Sequence, residues 1–331
     1  MRVSRRTAVV AVVAVCLVAG AAGCRESESS EPERAGPGIA ARIDLPSSPF
    51  AIAVGEGSVW VLTRSPRAAV WRIDPKSNRV VGTPTALPVA PWSIAVGAGS
   101  VWVTPNGADG RLIRIDARTG RISAAISARP IYFGSVIALG GGAAWTGNDD
   151  ERYRHGSTVS KIDTGTDRVV GTLALGSPQS VAFGHGALWV ADHAGWLVKI
   201  DAKRFDVVAR RRLRFGPHGV VVTAGAVYVA DAHGRRLLEA DPKTAAIRRT
   251  RALPIGPIYP AFGGGSLWTG SAAAWERGRE DDRVARIDPR TLRVAETFHV
   301  GSNTSGVAFG FGSVWAALPA GQVVRITPER G

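Results

Sequence analysis

From residue 39 onward the chain alternates apolar and polar positions in short runs, each closed by a Gly-rich or Asp-containing turn. Alternation with period two and a high content of Val, Ile and Trp predicts strands rather than helices. The runs come in groups of four. An AIAV-like run leads through a Gly-rich turn into an SVWV-like run. A third run ends in Arg-Ile-Asp, and a turn of the Asp-Pro/Ala-x-Thr kind leads to a fourth run such as RVVGT. Gly and Asp supply the backbone conformations and side-chain acceptors that tight turns need.

This unit is written seven times. An aromatic residue closes each Gly-x-Gly-small-apolar phrase: Trp60, Trp102, Trp145, Trp189, Tyr228, Trp268 and Trp315, at intervals of 42, 43, 44, 39, 40 and 47 residues. A second mark is Asp74, Asp116, Asp163, Asp201, Asp241 and Asp288, with Thr327 in the seventh place. A period near 42 residues with four strands per period predicts an all-β, seven-bladed β-propeller of four-stranded antiparallel blades. The repeated aromatic is expected as packing bulk between blades, and the repeated Asp as a turn closer bonding backbone amides. The last copy stops after three runs, VVRITPERG, and its fourth is found at the start, in IAARIDLPSSPF. Residues 39–45 should therefore pair with 320–327 and close the ring, which removes exposed sheet edges.

The first 38 residues do not follow this pattern. Arg2, Arg5 and Arg6 precede an apolar run from Thr7 to Val18 that is short for a membrane span. Small residues 21–23 then lead directly to Cys24, a phrase that resembles a bacterial lipobox. The resemblance implies a lipoprotein signal peptide over residues 1–23, cleavage before Cys24 and lipidation of that cysteine, hence an extracytoplasmic protein held at the cell membrane. Residues 24–38, polar and rich in Glu, Pro and Gly, read as a flexible tether. The domains are thus 1–23, 24–38 and 39–331. Cys16 would be lost with the leader, so the propeller would carry no thiol.

Composition adds two points. The chain has 41 basic and 27 acidic residues, a net charge of +14. Twelve basic and four acidic side chains fall within residues 203–251, including Arg210, Arg211, Arg212, Arg214, Arg248, Arg249 and Arg251. These form a basic rim on blades 4 and 5, suited to anionic headgroups or wall polymers or to solvated edge protection. No aromatic-interleaved nucleic-acid motif accompanies them. Apart from the propeller pattern, no P-loop, G-x-S-x-G elbow or H-E-x-x-H is present.

The whole of residues 39–331 resembles the seven-bladed propellers of the YVTN, NHL and virginiamycin B lyase-like group. Such a fold implies a site where the start of each first strand and the end of each second strand meet around the central channel. The starts are Phe50, Trp92, Ser135, Gln179, His218, Ile258 and Ser305, with Tyr259 just beyond. The ends carry Arg64, Asn106, Asn148, Asp149, Asp192, His193, Asp231, His233 and Ser271. Blades 4 and 5 gather His193, His218 and His233 with Asp192 and Asp231 in one quadrant, a set suited to acid–base work or to a divalent cation such as Mg2+. The resemblance implies a metal and a histidine base that open a cyclic depsipeptide by elimination, with His218, Asp231 and His233 as the catalytic positions; that group typically carries Glu where this chain has Asp231. Trp92, Gln179, Asp192, His193 and Tyr259 are candidate ligand contacts. So are Tyr153 and Trp275, in the long segments NDDERYRHGST and SAAAWERGREDD of blades 3 and 6, which should face each other across the mouth. Two functions follow: a monomeric platform that binds a small ligand, wall component or protein on the channel face, or a metal-assisted lyase or hydrolase on the same face.

Overall fold

A computed structural model describes residues 38–106, 111–127, 136–148, 156–271 and 281–328. These residues form seven antiparallel sheets of four strands and no helix, a seven-bladed propeller. Blade 4 shows the plan: Pro178–Gly184, Ala187–Asp192, Trp196–Asp201 and Asp206–Arg212 pair in that order. The seven first strands touch one another in cyclic sequence, and that of blade 7, Gly306–Gly310, returns to Pro49–Gly55 of blade 1. In blade 1 the fourth strand is broken into Arg79–Val80 and Thr85–Ala86, both paired with Ala69–Asp74.

Ring closure follows the sequence expectation. Ile39–Asp44 pairs antiparallel with Gln322–Ile326 as the fourth strand of blade 7. It even carries the one-residue register shift of the other fourth strands: the shift between Ile39 and Ala41 matches that between Ile122 and Ala124 in blade 2. A one-residue shift turns the next side chains to the other face. Ile39 therefore joins the core against blade 6 with Trp268 and Phe298, whereas Ile43 joins the core against blade 1 with Val59 and Trp315.

The core is a set of apolar layers between neighbouring blades. Second strands are buried along their whole length, as in Ser58–Thr63, Ser100–Pro105 and Ala187–Asp192, and the six repeated tryptophans are at most 1% exposed. Five of them donate the indole N–H to the glycine carbonyl five residues earlier, as Trp315 does to Gly310 at 3.2 Å. Trp189 is the exception, with a buried Nε1 that has no partner among the described residues.

The third-strand basic residue in the phrase before Ile-Asp stacks on this tryptophan and reaches into the next blade. Arg325 lies 5.0 Å from the Trp315 ring, its Nε donates to Ser313 and its Nη1 donates to the Pro75 carbonyl of blade 1. Arg114 and Lys199 make the equivalent reach to Thr164 and Pro242. Blade 5 replaces the pair with Tyr228 and Glu239. There Arg249, from the fourth strand, binds Glu239 and donates to the Pro289 carbonyl of blade 6. The bridge between blades is thus kept by a different residue.

The repeated aspartates close their turns as expected. Asp241 accepts from the Lys243 and Thr244 amides at 2.7 and 2.8 Å, and Asp163 from Gly165 and Thr166 at 3.1 and 2.8 Å. These bonds hold both carboxyls below the ordinary range: first the Thr244 amide and then Arg248 for Asp241, and the Thr166 hydroxyl and amide for Asp163. The Gly-rich hairpins use two consecutive left-handed residues, as at Phe311 and Gly312 (φ 54° and 71°), the geometry of a two-residue strand connection.

Candidate functional site

Antiparallel pairing brings the start of each first strand beside the end of its second strand, as Pro49 beside Thr63 and Pro91 beside Pro105. At this end the first strands of four blades carry register shifts: between Pro49 and Ala51, Pro91 and Ser93, Pro178 and Ser180, and Ile258 and Ala261. The residues extruded there are Phe50, Trp92, Gln179 and Tyr259. A bulge leaves its extra residue outside the ladder and re-aims the side chain. Tyr259 also sits at φ 40°, a left-handed conformation unusual for a bulky residue. It lies against Gly219, where an added Cβ would come within 2.9 Å of the Tyr259 nitrogen. Glycine beside His218 is therefore what lets blade 6 approach blade 5 here.

These extruded residues meet over the channel. Phe50 and Trp92 lie 5.5 Å apart, and the Arg64 guanidinium packs against both, 3.2 Å from the Phe50 centroid and 4.5 Å from that of Trp92. Arg64 Nε donates to the Pro91 carbonyl at 2.7 Å, while Nη2 is buried with no partner among the described residues. Burial lowers the Arg64 pKa to about 10, with the Tyr259 phenol opposing the shift. Burial raises Tyr259 in turn, against the Arg64 charge and a hydrogen bond with Gln179. Side chains from blades 1, 2, 4 and 6 thus share one electrostatic environment. Phe50, Trp92 and Tyr259 line a cavity of about 150 Å³. Deeper in the channel its walls are Ile52, Ile94, Ile137, Val181 and Val307, with Ser93, Ser180 and Ser305.

The histidines form a second cluster on the same face. His218 is 3% exposed; its ring lies 4.7 Å from that of His233 and 6.0 Å from that of His193, edge-on to both. The Ala232 amide donates to its Nδ1 at 3.4 Å. Burial, then the charges of His233 and His193, lower the His218 pKa to about 4, and Asp231 only partly offsets them. His218 is therefore neutral in the fold near pH 7 and takes up its proton more readily in the unfolded chain. Its contribution to stability is complete above the unfolded value near 6.5 and is lost as pH falls from there toward about 4. An imidazole NMR titration should show His218 neutral at pH 5.5; a midpoint above 6 would contradict this environment.

The aspartates beside the histidines are already engaged. Asp192 Oδ1 accepts from the Ser177 and Ala194 amides at 3.1 and 2.8 Å. Asp231 accepts from the Gly234 amide at 2.8 Å on one oxygen and from both Nε and Nη2 of Arg236, at 3.1 and 2.9 Å, on the other. Both carboxylates close loops, as the repeated turn aspartates do. This does not fit the divalent cation that the sequence resemblance implied: the carboxylate at its polar centre is held by an arginine. Among the described residues no three His, Cys, Asp or Glu side chains are grouped to hold a metal ion.

Of the candidates read from sequence, Trp92, Gln179 and Tyr259 meet at the channel mouth, and His193, His218, His233, Asp192 and Asp231 lie together on blades 4 and 5. Tyr153, Trp275 and Cys24 lie outside the described residues. His185 and His299 are exposed, His299 against Asp282 at 2.8 Å. Sequence reading placed Phe50 and Arg64 at the channel end without singling them out. The available signal was the shared Pro-aromatic phrase at Pro49-Phe50 and Pro91-Trp92. No protein-family model matches the chain, and no curated protein matches it.

Proposed function

We propose that the protein is a lipid-anchored, extracytoplasmic propeller that binds a ligand or partner through its channel face. The observation carrying this reading is the construction of the mouth. Four strands interrupt their ladder pairing to aim Phe50, Trp92, Gln179 and Tyr259 at one place, around the Arg64 guanidinium, whose buried Nη2 has no partner among the described residues. Buried polar groups are normally satisfied, so a buried guanidinium nitrogen without a protein partner calls for one, such as a ligand, an ion or a water. The fold is a common binding scaffold, and the likeness of the repeat to YVTN, NHL and virginiamycin B lyase-like propellers is consistent with that use. In a titration of the full chain with a set of small organic fragments, NMR shifts should gather at the Trp92 indole and the His193, His218 and His233 imidazoles. Shifts confined to other faces would contradict the reading.

The location rests on the leader, Cys24 and the polar tether. Metabolic labelling with an alkyne fatty acid should mark the protein, and Cys24→Ser should abolish the label and release the chain from the membrane fraction. A label that survives in Cys24→Ser would remove the anchor at this residue.

One observation favours a second use of the same face. His218 is a buried imidazole between His193 and His233, neutral near pH 7 but a weak base in this environment, so a bound substrate would have to stabilise its protonated form. A lyase acting on a cyclic depsipeptide would use it as base, with no step through a metal. Ring opening followed by tandem mass spectrometry, lost in His218→Ala, would support that activity; intact substrate after incubation with the wild-type chain would exclude it.

A further inference from the structure

We propose that the channel mouth is a site for a small carboxylate with a short apolar tail, the anion held at the edge of Arg64 and the tail lowered into the channel cavity. This deepens the channel-face reading and rests on it.

The head of the site is set by Arg64. Its ring-facing surface is covered by Phe50 and Trp92 and its Nε is committed to the Pro91 carbonyl. What remains is the Nη edge, a planar fork whose geometry matches a carboxylate. No acidic side chain among the described residues pairs with Arg64. The titrating group that acts on it is the Tyr259 phenol, whose pKa burial raises. A cation packed against two rings that both line the cavity, with one nitrogen buried and without a partner among the described residues, is a half-made ion pair. An unpaired buried donor costs free energy that an arriving anion would recover.

The tail is set by the cavity. Its volume of about 150 Å³ is comparable to a dry apolar cavity able to hold a benzene-sized group. Its walls repeat one first-strand position in five blades: Ile52, Ile94, Ile137, Val181 and Val307. The Ser180 hydroxyl accepts from the Val220 amide and the Ser305 hydroxyl donates toward the Pro49 and Ala317 carbonyls, so two of the three wall serines are engaged within the protein. With five Ile or Val walls and this volume, the space fits an apolar group of about six carbons.

Calorimetric titration of the full chain at low ionic strength tests this with three probes. Benzoate carries both features, benzyl alcohol keeps the ring without the charge, and acetate keeps the charge without the ring. Benzoate should bind at least about tenfold more tightly than either, the factor expected from one charge-assisted hydrogen bond or from burying the ring. Arg64→Gln should bring benzoate down to the level of benzyl alcohol. If that variant fails to fold, the three probes on the wild-type chain decide alone. Equal binding of benzoate and benzyl alcohol would overturn the carboxylate site while leaving a channel-face platform standing. Benzoate affinity unchanged in a folded Arg64→Gln, or no binding of benzoate, would overturn it as well.

Discussion

Replacing Ile39 and Ile43 together by alanine is expected to lower stability by about 4–8 kcal/mol, the sum of two buried Ile truncations at about 2–4 kcal/mol each. Both residues belong to the strand that closes the ring, and they are 7% and 6% exposed. The register shift between them sends Ile39 toward blade 6 and Ile43 toward blade 1, so the losses fall on separate interfaces and should add. Domains of ordinary stability hold about 5–15 kcal/mol in total. The double variant should therefore be close to unfolding and expose the Gln322–Ile326 edge, which invites association between chains. A midpoint of thermal unfolding within 3 °C of wild type would mean that the ring does not depend on this strand. Each single variant should show about half the effect.

The second large effect concerns the repeated tryptophans. Trp315→Ala and Trp189→Ala should each cost about 3–5 kcal/mol, because each removes a fully buried indole from the layer between two blades. The two sites part on the milder change to phenylalanine. Trp315 gives its N–H to the Gly310 carbonyl and supports the ring under Arg325, whereas the Trp189 N–H has no partner among the described residues. Trp315→Phe loses that hydrogen bond, about 1 kcal/mol, and Trp189→Phe does not. Denaturant unfolding of both Phe variants checks this. A larger loss at Trp189 than at Trp315 would contradict the packing described.

These interfaces were legible in the sequence because they rest on local phrases. The Gly-x-Gly-aromatic unit specifies a hairpin, a buried second strand and the bulk between blades, and it recurs often enough to fix the period and the missing seventh strand. The third-strand arginine of blade 7, Arg325 before Ile326-Thr327, was harder to read. Its stacking on Trp315 and its reach to Pro75 join residues 250 positions apart, a relation that no local pattern encodes. Blade 5 shows the same limit, since Tyr228, Glu239 and Arg249 rebuild the bridge from a different strand.

The site was legible by position and not by chemistry. Counting back from each aromatic gave Trp92, Gln179 and His218, and the strand ends gave Arg64. Their meeting depends on single-residue bulges that the spacing does not reveal, and on four blades turning toward one axis. The pairing of Asp231 with His233 along the chain suggested a shared site. Folding brings the three histidines of that quadrant together but gives the Asp231 carboxylate to Arg236 and Gly234. The basic rim is likewise altered by contacts: Arg248 and Arg249 bind Glu239, and Arg211 and Arg212 donate to the Thr244 and Ala194 carbonyls. Of these four arginines, Arg248 and Arg249 are paired with acidic side chains of the rim itself.

The claim on which the functional account stands is that the channel mouth receives the ligand. Crystals of the full chain soaked with 4-bromobenzoate and measured at the bromine absorption edge test it directly. The account predicts an anomalous peak inside the channel among Ile94, Ile137 and Val181, with the carboxylate against Arg64. Bromine found only on the outer strands, with the mouth unchanged, would contradict it.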